Sequence, residues 1–284
     1  MGQSTPVKLF DPEKLGRIVV VGVGGTGSYV AGQLAALLNA QKARGRHVPT
    51  VLLADGDTVE RGNIVRQSFL EGEVGRNKAS VLAERHARAY GVPVRAHPRY
   101  LGPATDLTRL ASPAHAYGSS YSVFVGCVDN AATRRLLHVR LQEDYRDVVY
   151  VDSGNEAVAV PDDPEHLDRY KLARVRDSGW SGQVVAGVRA GGVNHIPFPA
   201  EVLPDLIEGD DDLPTEEAPC GEVAASEPQR HLTNHFAAVA VMGFLNHLVT
   251  EGSLVNCRTF FDARSGYMRS DPASSSLLEL GLPG

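Results

Sequence analysis

The sequence predicts an α/β protein with a doubly wound, mainly parallel Rossmann-like sheet and an acidic crossover loop in its C-terminal half. Three observations carry this. Apolar, β-branched runs without alternation recur at 17–23, 50–54, 122–127 and 147–152, as in strands buried on both faces. Amphipathic, helix-like stretches separate them, so successive strands are joined by crossovers and run parallel. A glycine-rich turn directly follows the first strand, where such folds bind phosphate.

Taken in order, R-I-V-V-V-G-V (17–23) is the first clear strand and is followed by a helix from about Thr26 to Ala43. T-V-L-L-A (50–54) is a strand ending at Asp55, and a helix is expected at about 76–90. V-P-V-R-A-H (92–97) and S-V-F-V-G-C (122–127) are further strands, the latter ending just before Asp129. Ala131–Asp144 reads as a helix and D-V-V-Y-V-D (147–152) as the next strand. Residues 155–182 form a polar insertion with a short helix near 165–174, and G-Q-V-V-A-G-V (182–188) resumes the sheet. Residues 205–217 hold seven acids around Pro214, which favours an exposed, mobile loop, with partner docking as the alternative. A helix at about 228–249 and a strand at 259–262 close the chain.

Composition bounds the function. At 284 residues, 43% apolar and 22% charged, the chain can bury a sizeable core, and a single domain is expected. A net charge of −6 argues against a nucleic-acid or anionic-membrane surface. The longest apolar stretch, near 236–249, is broken by Gly243, Asn246 and His247 and falls short of the roughly 20 residues of a membrane span. Three cysteines without C-x-x-C spacing, and no secretory N-terminus, suggest a reducing cytoplasm and no structural zinc.

G-V-G-G-T-G-S (22–28) contains G-x-G-x-x-G at a strand-to-helix turn. Gly22 permits the turn, Gly24 or Gly25 lets backbone approach a phosphate, and Gly27 lets the helix pack close to the sheet. Asp55, an acid ending the second strand, suits ribose hydroxyls. The next segment exceeds the needs of a dehydrogenase: Asn63, Arg66 and Gln67 lie just past the second strand, and Lys78 opens the next helix. A triphosphate attacked at its α-phosphorus calls for side-chain cations to neutralise developing charge. Asp129, at the carboxyl end of a central strand, suits Mg²⁺ or caps the following helix.

Together G-x-G-G-x-G-S, D-x-D-x-V-x-x-x-N-x-x-R-Q, G-x-N-K-A and C-V-D-N-x-x-x-R resemble the ThiF/MoeB/ubiquitin-activating adenylyltransferase superfamily. D-G-D-T-V-E, the stretch Asp147–Asn155 and G-Q-V-V are most similar to the ThiF-family proteins of the PRTRC plasmid-type system. The resemblance covers about 17–155 and, more loosely, 182–265. It implies one ThiF-like domain, with a nucleotide-binding half at about 17–155 and a partner-binding, crossover-loop half at about 156–270. It implies ATP and Mg²⁺, and adenylation of the C-terminal carboxylate of a small ubiquitin-like or sulfur-carrier protein. Asp55 would bind the ribose; Asp57 would join the nucleotide site; Asn63, Arg66 and Lys78 would contact phosphates, supported by Gln67; Asp129 would coordinate magnesium. Homodimerisation is implied by the resemblance alone. The arginine that many relatives lend to a neighbouring ATP site has no counterpart here, since only Lys8 and Lys14 are basic before Arg17.

Cys220, in A-P-C-G-E, lies where relatives often place a crossover-loop cysteine that attacks the acyl-adenylate, although nearby acids disfavour its thiolate. Cys127 reads as core and Cys257 carries no motif. His231 and His235, four apart on the late helix, could face one metal but read as packing or surface residues. Trp180 could line a protein-docking groove. The competing functions are a non-catalytic nucleotide or partner-binding scaffold and an NAD-dependent oxidoreductase; the latter leaves Arg66, Gln67, Lys78 and Asp129 unexplained.

Overall fold

A computed structural model describes residues 6–105, 107–111, 121–158, 169–209, 212–215 and 230–273. In chain order these give β1 (Val7–Lys8), β2 (Leu15–Val21), α1 (Gly25–Ala43), β3 (Thr50–Ala54), α2 (Arg61–Ile64), α3 (Lys78–Tyr90) and β4 (Val94–His97). There follow α4 (Leu107–Ala111), β5 (Tyr121–Gly126), α5 (Ala131–Asp144), β6 (Val148–Asn155), α6 (Arg169–Asp177), β7 (Ser181–Ala190) and β8 (Val193–Ile196). The order closes with α7 (Pro199–Val202), α8 (His231–Glu251), β9 (Ser253–Leu254), β10 (Asn256–Asp262) and β11 (Tyr267–Pro272).

The main sheet runs β11-β10-β7-β6-β5-β2-β3-β4, with β8 on β7. From β4 to β6 every pairing is parallel; β6–β7, β7–β10 and β10–β11 are antiparallel. Alternate residues of β2 feed two cores. Ile18 and Val20 pack in the cluster that holds Leu34 and Leu38 of α1, Leu82 of α3 and Leu245 of α8. Val19 and Val21 pack with Phe124, Tyr150, Phe198 and Leu137 and Leu141 of α5. Both faces are therefore covered, which is why β2 carries apolar residues without alternation.

The antiparallel part departs most from the sequence reading. β6 runs three residues beyond 152, and β8 and β11 carry no apolar run, being edge elements with mostly exposed or half-buried side chains. The insertion helix is described over Arg169–Asp177 and ends three residues past the expected 174; residues 165–168 lie outside the described residues. The acidic segment is not wholly a free loop: Pro204–Leu206 form a 3₁₀ turn, and Arg135 donates to the carbonyls of Ile207 at 2.7 Å and Gly209 at 2.8 Å. Residues 210, 211, 216 and 217 of that segment lie outside the described residues.

The apolar stretch expected at 236–249 belongs to the longer α8. At 21 residues it is long and apolar enough to cross a membrane by length and composition. Ala237, Val241, Phe244, Leu245 and Leu248 instead bury its inner face in the core.

Candidate functional site

The carboxyl ends of β2, β3, β5 and β6 open into a cleft of about 460 Å³, on the side where open α/β sheets receive ligands. Its floor begins with the glycine turn. Gly22 has φ +80°, and a Cβ there would stand 2.8 Å from the Cys127 carbonyl oxygen, so the turn hugs the end of β5. Gly27 is a packing residue: a Cβ on it would lie 1.9 Å from the Gly22 oxygen. It does not line the cleft, whereas Gly22, Gly24 and Gly25 do. Gly24 caps α1 without a side chain, so the N–H groups of the first turn are presented to the cleft.

Asp55 follows β3 and braces two loops. Its Oδ2 accepts from Val23 N at 2.7 Å and its Oδ1 from Asp57 N at 2.8 Å. Burial raises its pKa to about 6; the Lys78 ammonium opposes that shift and Asp57 adds to it. Asn77 caps α3 through Ser80 N and holds the carbonyls of Asp55 and Asp57 with its amide. The next residue, Lys78, thereby enters the cleft from the first turn of α3.

Lys78 is 6% exposed, so its ammonium is withdrawn from bulk solvent into the cleft. Its Nζ lies 2.8 Å from Asp57 Oδ2, and Tyr100 donates its hydroxyl to the other Asp57 oxygen. Burial lowers the ammonium's pKa, but the carboxylates of Asp55, Asp57 and Asp129 outweigh it and leave the value raised. Asn63 is buried and accepts from Glu60 N at 2.9 Å, closing the capping box of α2. The backbone N–H groups of Arg66 and Gln67 both donate to Asn63 O. The half-buried Arg66 guanidinium has no ion-pair partner among the described residues. The Gln67 amide lies against the glycine turn: a Cβ on Gly24 would be 3.6 Å from its Nε2.

Asp129 is exposed and lines the cleft at the end of β5. The helix-cap alternative for it is overturned: the N-cap of α5 is Asn130, whose Oδ1 accepts from Thr133 N at 2.8 Å. Asp129 thus keeps its carboxylate for something else. No group of three His, Cys, Asp or Glu side chains poised for a metal exists among the described residues. A lone carboxylate still fits Mg²⁺, which is commonly held by one or two carboxylates with phosphate oxygens completing the shell.

Several cleft residues escaped the sequence reading. Arg134, the last position of C-V-D-N-x-x-x-R, is ion-paired with the buried Asp152 at 3.1 Å and donates to Val128 O and Ser153 O. Tyr150 donates to the same carboxylate at 2.6 Å. Asn155 Nδ2 donates to Thr26 Oγ1 at 3.2 Å and Asn234 Oδ1 at 2.9 Å, tying β6 to α1 and α8. The motif arginine left a sequence signal; the Asn155 pairings left none, because they join segments 79 or more residues apart.

Cys127 is partly buried on the cleft wall rather than fully in the core; burial, then Asp152, push its thiol well up. Cys257 is buried and donates to Asp271 O and Pro272 O. Cys220 lies outside the described residues. His231 and His235 stand with ring nitrogens 3.1 Å apart, and Tyr29 stacks on His235 at 3.9 Å, a packing cluster as expected. Trp180 lies beneath Arg230, whose guanidinium is 4.1 Å from the ring.

Comparison with known proteins adds an independent line. Residues 12–192 match the model of the ThiF family. Among curated proteins, the chain is similar to adenylyltransferase and sulfurtransferase uba4 of Aspergillus clavatus, 34% identical over 122 residues, 43% of this chain and 22% of that protein. It is 33% identical to the Emericella nidulans protein of that name over the same length. The chain spans about a fifth of the length of these curated relatives. Among solved structures, E. coli MccB, crystallised with ATP, superposes with a TM-score of 0.54 at 17% identity, covering 92% of this chain and 65% of that one. PaaA gives 0.52 at 18%, over 92% and 65%. These two share the fold.

Proposed function

The chain belongs to the ThiF family, and on that premise we propose that it adenylates the C-terminal carboxylate of a small protein or peptide with ATP. The finer reading takes a ubiquitin-like or sulfur-carrier protein as that substrate and the PRTRC-system ThiF proteins as the subgroup, supported by D-G-D-T-V-E and G-Q-V-V. The names of the uba4 relatives, adenylyltransferase and sulfurtransferase, agree with this chemistry.

One observation carries the proposal: the buried Lys78 ammonium, the Arg66 guanidinium and the N-terminus of α1 converge on one cleft opposite Asp55. In the proposed reaction a carboxylate oxygen attacks the α-phosphorus. The bond from that phosphorus to the oxygen bridging to the β-phosphate breaks, pyrophosphate leaves, and a mixed acyl–phosphate anhydride forms. Both reactants are anions, so the task of the chain is to align them and screen their charge. Asp55 would accept from the ribose hydroxyls while keeping the glycine turn in place through Val23. Lys78 and Arg66 would neutralise charge growing on the phosphate oxygens, Asn63 and Gln67 would position them, and Asp57 would hold Lys78 in register. Asp129 would hold Mg²⁺, which on binding supplies charge neutralisation between phosphates.

An oxidoreductase needs no such cations beyond its glycine turn. A nucleotide-binding scaffold is the second reading, favoured by one observation: the described residues before β2 hold no arginine to lend to a neighbouring site, and Arg17 within β2 is buried and donates to Leu110 O. The same proposal takes about 17–155 as the nucleotide half and about 156–270 as the partner half of one domain, in a cytoplasmic homodimer. ATP–pyrophosphate exchange with small carrier proteins tests it. Exchange supports adenylation, ATP binding without exchange for any carrier favours the scaffold, and NADH binding without ATP binding overturns both.

A further inference from the structure

Between Asn155, the last residue of β6, and Ser181, the first of β7, lie 25 residues. Yet the two strands are antiparallel neighbours, with Asn155 paired to Gly182, and such a pair needs a connection of only about 2–5 residues. The helix in this insert, α6, is R-Y-K-L-A-R-V-R-D and has no buried residue. Tyr170 and Leu172 on it are 73% and 50% exposed. It adds nothing to either core, so its presence is not explained by stability.

Charge singles it out further. Four of its nine residues are basic and one is acidic, on a chain whose net charge is −6. Arg169 and Arg174 have no ion-pair partner among the described residues.

The anchors of α6 among the described residues gather at its C-terminal end. Arg230 donates to the carbonyls of Val175 at 2.6 Å, Arg176 at 3.1 Å and Ser178 at 2.9 Å. Arg264 reaches Asp177 at 2.7 Å. Thr233 of α8 donates to Gly179 O at 2.8 Å, and its neighbour Asn234 lines the cleft, as does Ala157 just after β6. At helical spacing Arg169 and Leu172 share one side of α6 and Tyr170 and Arg174 another, so each side pairs a base with an apolar residue, and the helix is tied to elements that form the cleft wall.

We propose that α6 is the docking element, engaged on more than one side, for an acidic surface of the small carrier protein whose carboxyl terminus enters the cleft. This rests on the adenylation reading. Arg169 and Arg174 steer and orient an acidic partner, as rim charges do, while Tyr170 and Leu172 supply the apolar contact of the kind aromatic residues carry at interfaces.

The test uses the full chain and three probes: small ubiquitin-like and sulfur-carrier proteins of strongly negative net charge, similar folds of positive net charge, and short peptides copying the acidic carriers' carboxyl termini. Binding is followed by titration calorimetry and pyrophosphate exchange is measured alongside. The expected result is binding of acidic but not basic carriers, weakened at least tenfold by R169E/R174E, the difference shrinking as salt is raised. Y170S/L172S should weaken it as well, at all salt concentrations, while ATP binding and the response to the free peptides stay unchanged in both variants. If no acidic carrier binds, or if they bind wild type and R169E/R174E equally, the proposal is overturned. Binding that follows the expected pattern without exchange leaves docking standing and removes the adenylation reading instead.

Discussion

The Lys78 ammonium sits 2.8 Å from Asp57 Oδ2, with 8% and 17% of the two side chains exposed, so its charge is fixed in the cleft by a carboxylate that Tyr100 braces from the other side. A cation held this way needs no reorganisation when phosphate charge grows. Lys78→Ala and Arg66→Ala should therefore slow adenylate formation far more than they weaken ATP binding. Loss of one preorganised contact costs about 2.7–4 kcal/mol, or about 10²–10³ in rate. Pyrophosphate exchange and ATP titration separate the two effects, and wild-type exchange in either variant refutes the assignment.

Asp129 and Asn130 divide two roles between adjacent residues. Asp129→Asn should raise the Mg²⁺ concentration needed for half-maximal exchange and leave the melting temperature unchanged. Asn130→Ala, by removing the cap on Thr133 N, should cost about 1 kcal/mol of stability. The reverse pattern, an unchanged Mg²⁺ requirement with a destabilised Asp129→Asn, would return Asp129 to a structural role.

Two buried groups give opposing pH dependence. His86 is 8% exposed, and burial, then Arg85, lower its pKa from 6.5 to about 4. Below 6.5 the unfolded chain takes up this proton first, so the His86 contribution to stability is lost as pH falls toward 4. Asp55 is raised from 3.8 to about 6, so its contribution is present at low pH and lost as pH rises through 6. Chemical denaturation between pH 4 and 6.5 should show H86Q losing less stability on acidification than wild type and D55N losing more. Parallel curves for all three proteins contradict these assignments.

Gly27→Ala places a methyl 1.9 Å from the Gly22 carbonyl oxygen, a contact with backbone that only movement of the turn relieves. Overpacking of this kind costs about 1–3 kcal/mol, and the shifted turn should also weaken ATP binding. Unaltered melting and affinity would mean that the helix and turn are not in such close contact.

Cys220 bears on the fate of the adenylate. If the chain stops at adenylation, as the acidic residues beside Cys220 favour, Cys220→Ser leaves exchange intact and no covalent adduct forms with wild type. A wild-type adduct cleaved by thiol reductants and lost in Cys220→Ser, with exchange retained, would make Cys220 a nucleophile that acts after attack at phosphorus.

The parallel half was legible because its strands are buried on both faces, so Ile18 to Val21 and Val123 to Val125 appear as unbroken apolar runs. The antiparallel half was legible only in part: the strands expected at 182–188 and 259–262 lie within β7 and β10, while β8, β11 and the full extent of β10 were not foreseen. β10 alternates buried and half-buried residues, and β11 is almost wholly exposed, so neither leaves a continuous apolar signal. In the site, Asp55, Asn63, Arg66, Gln67, Lys78 and Asp129 were readable from local spacing and share one cleft wall. Tyr100, Asn155 and Asn234 were invisible, since each acquires its place through a partner 43 or more residues away. Which of Asp129 and Asn130 caps α5 was not legible either, because both residue types are good N-caps and only backbone geometry decides between neighbours.

The reversal of strand direction between β6 and β7 has a consequence for descent with modification. In a parallel sheet each connection must carry the chain back across a whole face, and a change there disturbs a helix that is part of the core. At β6–β7 the ends to be joined are already adjacent, and lengthening such a loop costs only about 0.6 kcal/mol for each doubling. New sequence inserted at that point can be kept, exchanged or discarded without retuning the glycine turn or the phosphate-facing cations. If α6 docks the partner as proposed, partner choice can change at this connection without altering Lys78, Arg66 or the glycine turn.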